Sequence, residues 1–130
     1  MSNLFCWCMA YEPLEERRLY VRAELVADGI WELIAGWPEF TRDTVGKQLV
    51  RAADSIGANI AEGGGRFHPG EVRQFLYYAR GSLCETKFFL RRAAKRMLIN
   101  ESRFLALDSE LEQLAKEINA TINYQKTRST

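Results

Sequence analysis

Apolar residues return at helical intervals in four separate runs of this chain. Leu19, Ala23, Val26, Ile30, Leu33 and Trp37 step by four, three, four, three and four, close to a heptad seam. Val45, Leu49, Ala52, Ile56 and Ile60 lie on one face of a second helix, and Val72, Leu76, Ala79, Leu83 and Leu90 on one face of a third. A fourth run holds Phe104, Leu107, Leu111, Leu114, Ile118 and Ile122. The pattern is interrupted at Gly36-Trp37-Pro38, at Gly63-Gly64-Gly65 before Pro69, and at Asn100. Those residue types stop helices or start new ones. The predicted fold class is all-α, an antiparallel up-down four-helix bundle with helices over about 13–36, from about Thr41 to the glycines, about 69–98, and from Glu101 to about 125.

The residues between and within these runs refine the expectation. Thr41 and Thr44 offer capping hydroxyls to the second helix, and Asp43 suits the positive end of its dipole. Gly63 to Gly65 supply left-handed backbone angles for a helical hairpin, and Pro69 opens the helix after it. Gly57 within the second helix costs about 1 kcal/mol relative to alanine, so a close neighbour is expected there. Ala79, Gly81 and Ser82 place that neighbour on the third helix. Phe75, Tyr77, Tyr78, Phe88 and Phe89 are more aromatics than one buried stripe holds, which predicts a second apolar face and a partner subunit.

One chain of 130 residues fits one domain: an arm over residues 1–12 that can dock by Phe5 and Trp7, the bundle over 13–125, and a polar tail over 126–130. The apolar start, LFCWCMAY, is short and lacks a basic leader, so it reads as neither secretory signal nor membrane span. A cytoplasmic location away from membranes is expected, with Cys6, Cys8 and Cys84 as reduced thiols. Cys6-x-Cys8 could supply two zinc ligands, but the distant Cys84 and the lone His68 are the only further soft partners, and neither metal nor cofactor is expected.

The formal charge is +1, so net charge favours no class of partner, but its distribution does. Residues 69–98 hold seven basic side chains against two acidic, whereas residues 100–125 hold five acidic against two basic, and residues 12–36 six acidic against three basic. Arg73, Arg80 and Lys87 stand seven apart, and Arg91 and Lys95 continue the line. Arg66, Lys87, Arg91, Arg92, Lys95 and Arg96 are the candidate nucleic-acid surface, since a cationic stripe can neutralise phosphates at regular spacing. The competing reading turns the stripe toward the acidic helices, and is favoured for Arg73 and Arg80. Ser55, Asn59, Glu62, Arg73, Arg80 and Glu85 are read as a structural polar network holding the hairpin, with Asn59 opposite Arg73 and Arg51 opposite Glu85.

No set of residues points to catalysis. The glycines before Arg66 have no preceding strand and no Lys-Ser or Lys-Thr pair, which excludes a phosphate loop. No Glu-x-x-His pair supports a di-iron bundle, and Ser82 has no base at a useful spacing.

The blocks SIGANIAEGGGR and QFLYYARGSLCE resemble the bacterial four-helix-bundle proteins encoded by intervening sequences in large-subunit ribosomal RNA genes. The resemblance covers roughly residues 15–125, and departs from it at Gly57, where members commonly have proline. It implies a protomer that assembles into a ring of five. It also implies affinity for RNA or DNA, as in relatives that assist retroelement reverse transcriptases, and makes such an enzyme a candidate protein partner. The combined expectation is a non-enzymatic homo-oligomer that binds RNA or DNA through its basic third helix. The alternative is a protein-interaction scaffold with no nucleic-acid role.

Overall fold

The computed structural model describes residues 14–128, with side chains described from residue 17 onward. The expected arm, with Phe5, Trp7, Cys6 and Cys8, lies outside the described residues. Four long helices, α1 (Leu14–Ala35), α2 (Lys47–Gly64), α3 (Pro69–Lys95) and α4 (Glu101–Thr127), account for most of the chain, and no strand occurs among the described residues. Each helix packs on its neighbours in sequence, and α1 closes the bundle against α4.

Cross-helix contacts give the direction of each pair, with Phe75 beside Gly63 and Ser82 bonded to Ser55 setting α3 antiparallel to α2. Arg73 reaches Gln125, Arg80 reaches Asn119 and Lys87 reaches Glu112, so position on α4 falls as position on α3 rises. The same descent relates α1 to α2, through Ala23 beside Gly57 and Ile34 beside Gly46. Arg22 with Glu117 and Arg103 with the Gly29 carbonyl repeat it between α1 and α4. The bundle is therefore antiparallel and up-down, as the periodicity predicts.

The core follows the predicted stripes, except that Leu33 and Phe104 are only partly buried and Ile34 takes the core position beside Leu33. Leu19, Ala23, Val26 and Ile30 from α1, Leu49, Ile56 and Ile60 from α2, Leu76, Leu83 and Leu90 from α3, and Leu107, Leu111, Leu114 and Ile118 from α4 are all buried. Thr86 fills the position between Leu83 and Leu90, fully buried, with its hydroxyl donating to the Ser82 carbonyl at 2.7 Å. A polar residue is tolerated there because its one hydroxyl finds a partner within its own helix.

The helix boundaries correct several expectations. The second helical segment begins before Thr41, with a turn at Glu39–Thr41 followed by a π-helical stretch at Arg42–Gly46. Thr41 and Thr44 do not cap it. Their hydroxyls instead donate to the carbonyls of Pro38 and Phe40, at 2.9 and 2.7 Å. No glycine among the described residues has positive φ, and Gly65 closes α2 at φ −86°, ψ 0°. Helix α2 simply runs on through Gly63 and Gly64, and Pro69 then starts α3 in its first turn.

The left-handed position belongs to Met97, at φ 64°. The Leu98 amide donates to the Ala93 carbonyl and the Met97 amide to the Ala94 carbonyl, at 2.9 and 3.1 Å, the paired bonds of a Schellman cap. Asn100 then caps α4, accepting from the Arg103 amide at 2.7 Å. Helix α4 continues through Lys126 and Thr127, past the expected start of the tail, and the Gln125 side chain is fully buried.

Gly57 is not where α2 meets α3. A Cβ there would approach only the Ala23 Cβ of α1, at 3.6 Å, and a Cβ at Gly81 would meet nothing within 4 Å. The close approaches are elsewhere. At Gly63 a Cβ would lie 3.0 Å from Phe75 Cβ, and at Gly46 it would lie 2.9 Å from Ile34 Cγ2 and 3.0 Å from the Thr41 carbonyl.

Candidate nucleic-acid interface

The basic helix divides into an occupied part and a free part. Along the α3–α4 seam, Arg73 Nη1 donates to the Gln125 carbonyl at 3.4 Å and Arg80 Nη1 to Asn119 Oδ1 at 2.9 Å. Arg80 also lies over the Tyr77 ring, 5.2 Å from its centroid. Two turns further, the Lys87 ammonium bonds Glu112 and sits 3.5 Å from Asp108, with its side chain only 16% exposed. That hydrogen bond, followed by the charge of Lys87, lowers the Glu112 pKa below the ordinary carboxylate value. Lys87 therefore lies in the α3–α4 seam, with its ammonium engaged by two carboxylates of α4.

Beyond Lys87 the cations face solvent. Arg91, Lys95 and Arg96 are exposed, and no ion pair among the described residues engages them. Arg91 and Lys95 border a shallow, mostly apolar groove at the α3–α4 connection together with Leu98, Phe104, the exposed Met97 and one carboxylate, Glu101. Arg92 is turned away, half-buried, with its guanidinium carbon 5.9 Å from the Phe88 ring centroid. Arg66 stands apart at the hairpin tip, paired with Glu62 at 2.8 Å and stacked 4.8 Å from the Phe75 centroid. The six predicted cations thus do not form one surface.

The predicted polar network also separates. Ser82 donates to Ser55 Oγ at 2.9 Å, and Asn59 Nδ2 donates to Ser55 Oγ and to its carbonyl at 3.1 and 2.8 Å, which is the only part that joins α2 to α3. Glu62 reaches no further than exposed Arg66, and Arg73 and Arg80 turn to α4 instead. Because α2 extends through Gly64, the hairpin is centred later than the glycines suggest. Ser55 then lies level with Ser82, which moves Asn59 away from Arg73 and up to the level of Tyr78. Arg51 and Glu85 do border one shallow groove with Ser55, although no ion pair joins them.

A further basic surface is not apparent from α-helical spacing. A groove between the C-terminal half of α1 and the start of the second helical segment is bordered by Trp31, Ile34, Arg42, Gly46, Lys47 and Arg51, with Asp43 as its one carboxylate. Trp31 is 61% exposed, and Arg42, Lys47 and Arg51 have no ion-pair partner among the described residues. Arg42 and Lys47 are five apart, a spacing that an α-helix puts on different faces and a π turn brings together. That interval is the signal in the sequence. In the groove that Arg51 shares with Ser55 and Glu85, burial and the neighbouring Asp28 raise the Asp54 pKa above its ordinary value.

Comparison with known proteins agrees with this architecture. A crystal structure of a protein of the S23 ribosomal protein family from Bacteroides thetaiotaomicron superposes with a TM-score of 0.76 at 19% sequence identity, covering 85% of this chain and 99% of that one. At that identity the likeness concerns the fold. No curated protein matches the chain. The model of the 23S rRNA-intervening sequence protein family matches residues 15–120, a span that reaches from the start of α1 into α4 as far as Ala120, and the chain belongs to that family.

Proposed function

We propose that the chain is a non-enzymatic, self-associating bundle that binds RNA or DNA, with Arg91, Lys95 and Arg96 at the end of α3 as phosphate contacts. The observation that carries this reading is the contrast along one helix: Arg73, Arg80 and Lys87 are engaged by α4, while Arg91, Lys95 and Arg96 stand exposed and outside the ion pairs of the described residues. Unneutralised cations at helical spacing suit a polyanion, and their contribution weakens with salt. Self-association is supported by the outward face of α3, where Tyr78 and Phe88 are half exposed on either side of Gly81. A ring of five is the form the family resemblance suggests. The same apolar face favours a second reading, a scaffold whose partner is a polypeptide such as a reverse transcriptase.

Salt-dependent retention on immobilised RNA and DNA tests the proposal. An Arg91→Ala/Lys95→Ala/Arg96→Ala variant is expected to elute at markedly lower salt with an unchanged Tm, because exposed charges add little to stability. Lys87→Ala is expected to do the reverse, lowering Tm while keeping retention. Full retention by the triple variant would reject this surface, and no retention of the unaltered protein would favour the scaffold.

A further inference from the structure

The groove between α1 and the second helical segment combines two features that a single nucleic-acid strand uses: a flat exposed ring and a row of cations without acidic partners. We propose that it binds single-stranded nucleic acid, with a base stacked on Trp31 and the adjoining phosphates on Arg42, Lys47 and Arg51. This extends the nucleic-acid reading above to a different surface, on α1 and α2 instead of α3.

The local backbone builds the arrangement. Trp31 lies off the α1 core face, which is occupied by Ile30 and Ile34, and its indole borders the groove. The π turn at Arg42–Gly46 takes one more residue than an α turn, so Arg42 lies above Lys47, and Arg51 follows one α turn later. Three cations then stand in one line. Gly46 lets this turn sit against Ile34 and Trp37, because a side chain there would collide with Ile34 Cγ2 at 2.9 Å. The π turn, the glycine and the exposed indole thus converge on one groove.

Charge selects the occupant. Asp43 is the one carboxylate lining this groove, and although Arg51 also borders the neighbouring groove with Asp54 and Glu85, Arg42 and Lys47 leave the cations in excess here, so that an acidic strand supplies the complement. A duplex keeps its bases stacked on each other, whereas an unpaired base can lie flat on an indole.

The test uses the full chain on a Trp7→Phe background, with labelled oligo-dT and oligo-U followed by anisotropy and by Trp31 emission, taken as the difference from a Trp31→Phe variant in which only the buried Trp37 emits. Binding should quench Trp31, and Trp31→Ala should weaken it about tenfold or more, with Trp31→Phe intermediate. Arg42→Ala/Lys47→Ala/Arg51→Ala should lower the salt slope by about two. Circular dichroism verifies the fold, and Arg51→Lys retains the charge as a control. Groove variants that bind like the parent, while the Arg91/Lys95/Arg96 variant loses binding, overturn this inference and leave the α3 surface standing. Absence of oligonucleotide binding by the parent overturns both. Duplex bound as tightly as single strand, or Trp31 emission that follows protein concentration and ignores oligonucleotide, overturns the stacking site, the latter assigning the groove to a second copy.

Discussion

Two residues in this bundle hold conformations or charges that the fold would be more stable without. Met97 occupies the left-handed region in an exposed Schellman cap, a position where a side chain costs roughly 1–2 kcal/mol and glycine costs little. Glycine is also more flexible when unfolded, which offsets part of the gain. Met97→Gly is therefore expected to stabilise the chain by about 0.5–1 kcal/mol in urea unfolding, and a loss of stability would show that Met97 packs against something. Asp54 carries the second conflict. Its folded pKa is raised, first by burial and then by Asp28, so the folded state disfavours its charge and stability falls as pH rises through that raised value. Asp54→Asn is expected to raise stability at neutral pH, with the advantage disappearing below the ordinary carboxylate range. The experiment is paired unfolding curves at pH 7 and pH 3. An advantage of equal size at both pH values would exclude the charge as its cause.

At the scale of elements, the glycines differ sharply in what an added methyl would meet. Gly46→Ala pushes on Ile34 and the Thr41 carbonyl and is expected to destabilise by about 1–3 kcal/mol, whereas Gly57→Ala meets only Ala23 at ordinary contact distance and is expected to be neutral or stabilising. Thermal denaturation of the pair checks the ranking, and equal effects would mean that the π turn yields easily. Glu62→Ala is expected to change stability by no more than about 0.5 kcal/mol, because its partner Arg66 is an exposed residue one turn away. The stripes Leu19 to Ile30, Leu49 to Ile60 and Leu107 to Ile122 were readable because core packing repeats at the helical period. Pro69 and Asn100 were readable because their chemistry suits helix starts. Cation partners were not, since pairing depends on register across the bundle, and the hairpin centre shifts with where α2 ends. The π turn was hidden because an extra polar residue leaves the apolar pattern on either side intact.

For the whole molecule, the arrangement of charge separates stability from binding. The acidic α4 neutralises the middle of α3, so cations that lie in one line along the sequence have different roles in the fold. The apolar outer face of α3 belongs to this scale as well. Phe88 is 53% exposed, and two turns before it a Cβ at Gly81 would meet nothing within 4 Å, so if copies of the chain meet there, Phe88→Ser should dissociate the assembly while leaving the helix content of the protomer intact. Sedimentation velocity at micromolar concentration reads the result, and an assembly of unchanged size would place the contact on another face.

The π turn also determines how this chain can be shortened. Removing one residue from Arg42–Gly46 lets the segment close as ordinary α-helix, and everything before the gap then rotates by about 100° and advances by about 1.5 Å relative to α2. Either Trp37 leaves the core or α2 slips against α1, and the line from Arg42 to Arg51 is broken in both cases. A relative aligned with a one-residue gap at this point should therefore keep the bundle but lose the cationic row, making a single deletion a marker of which family members share the groove.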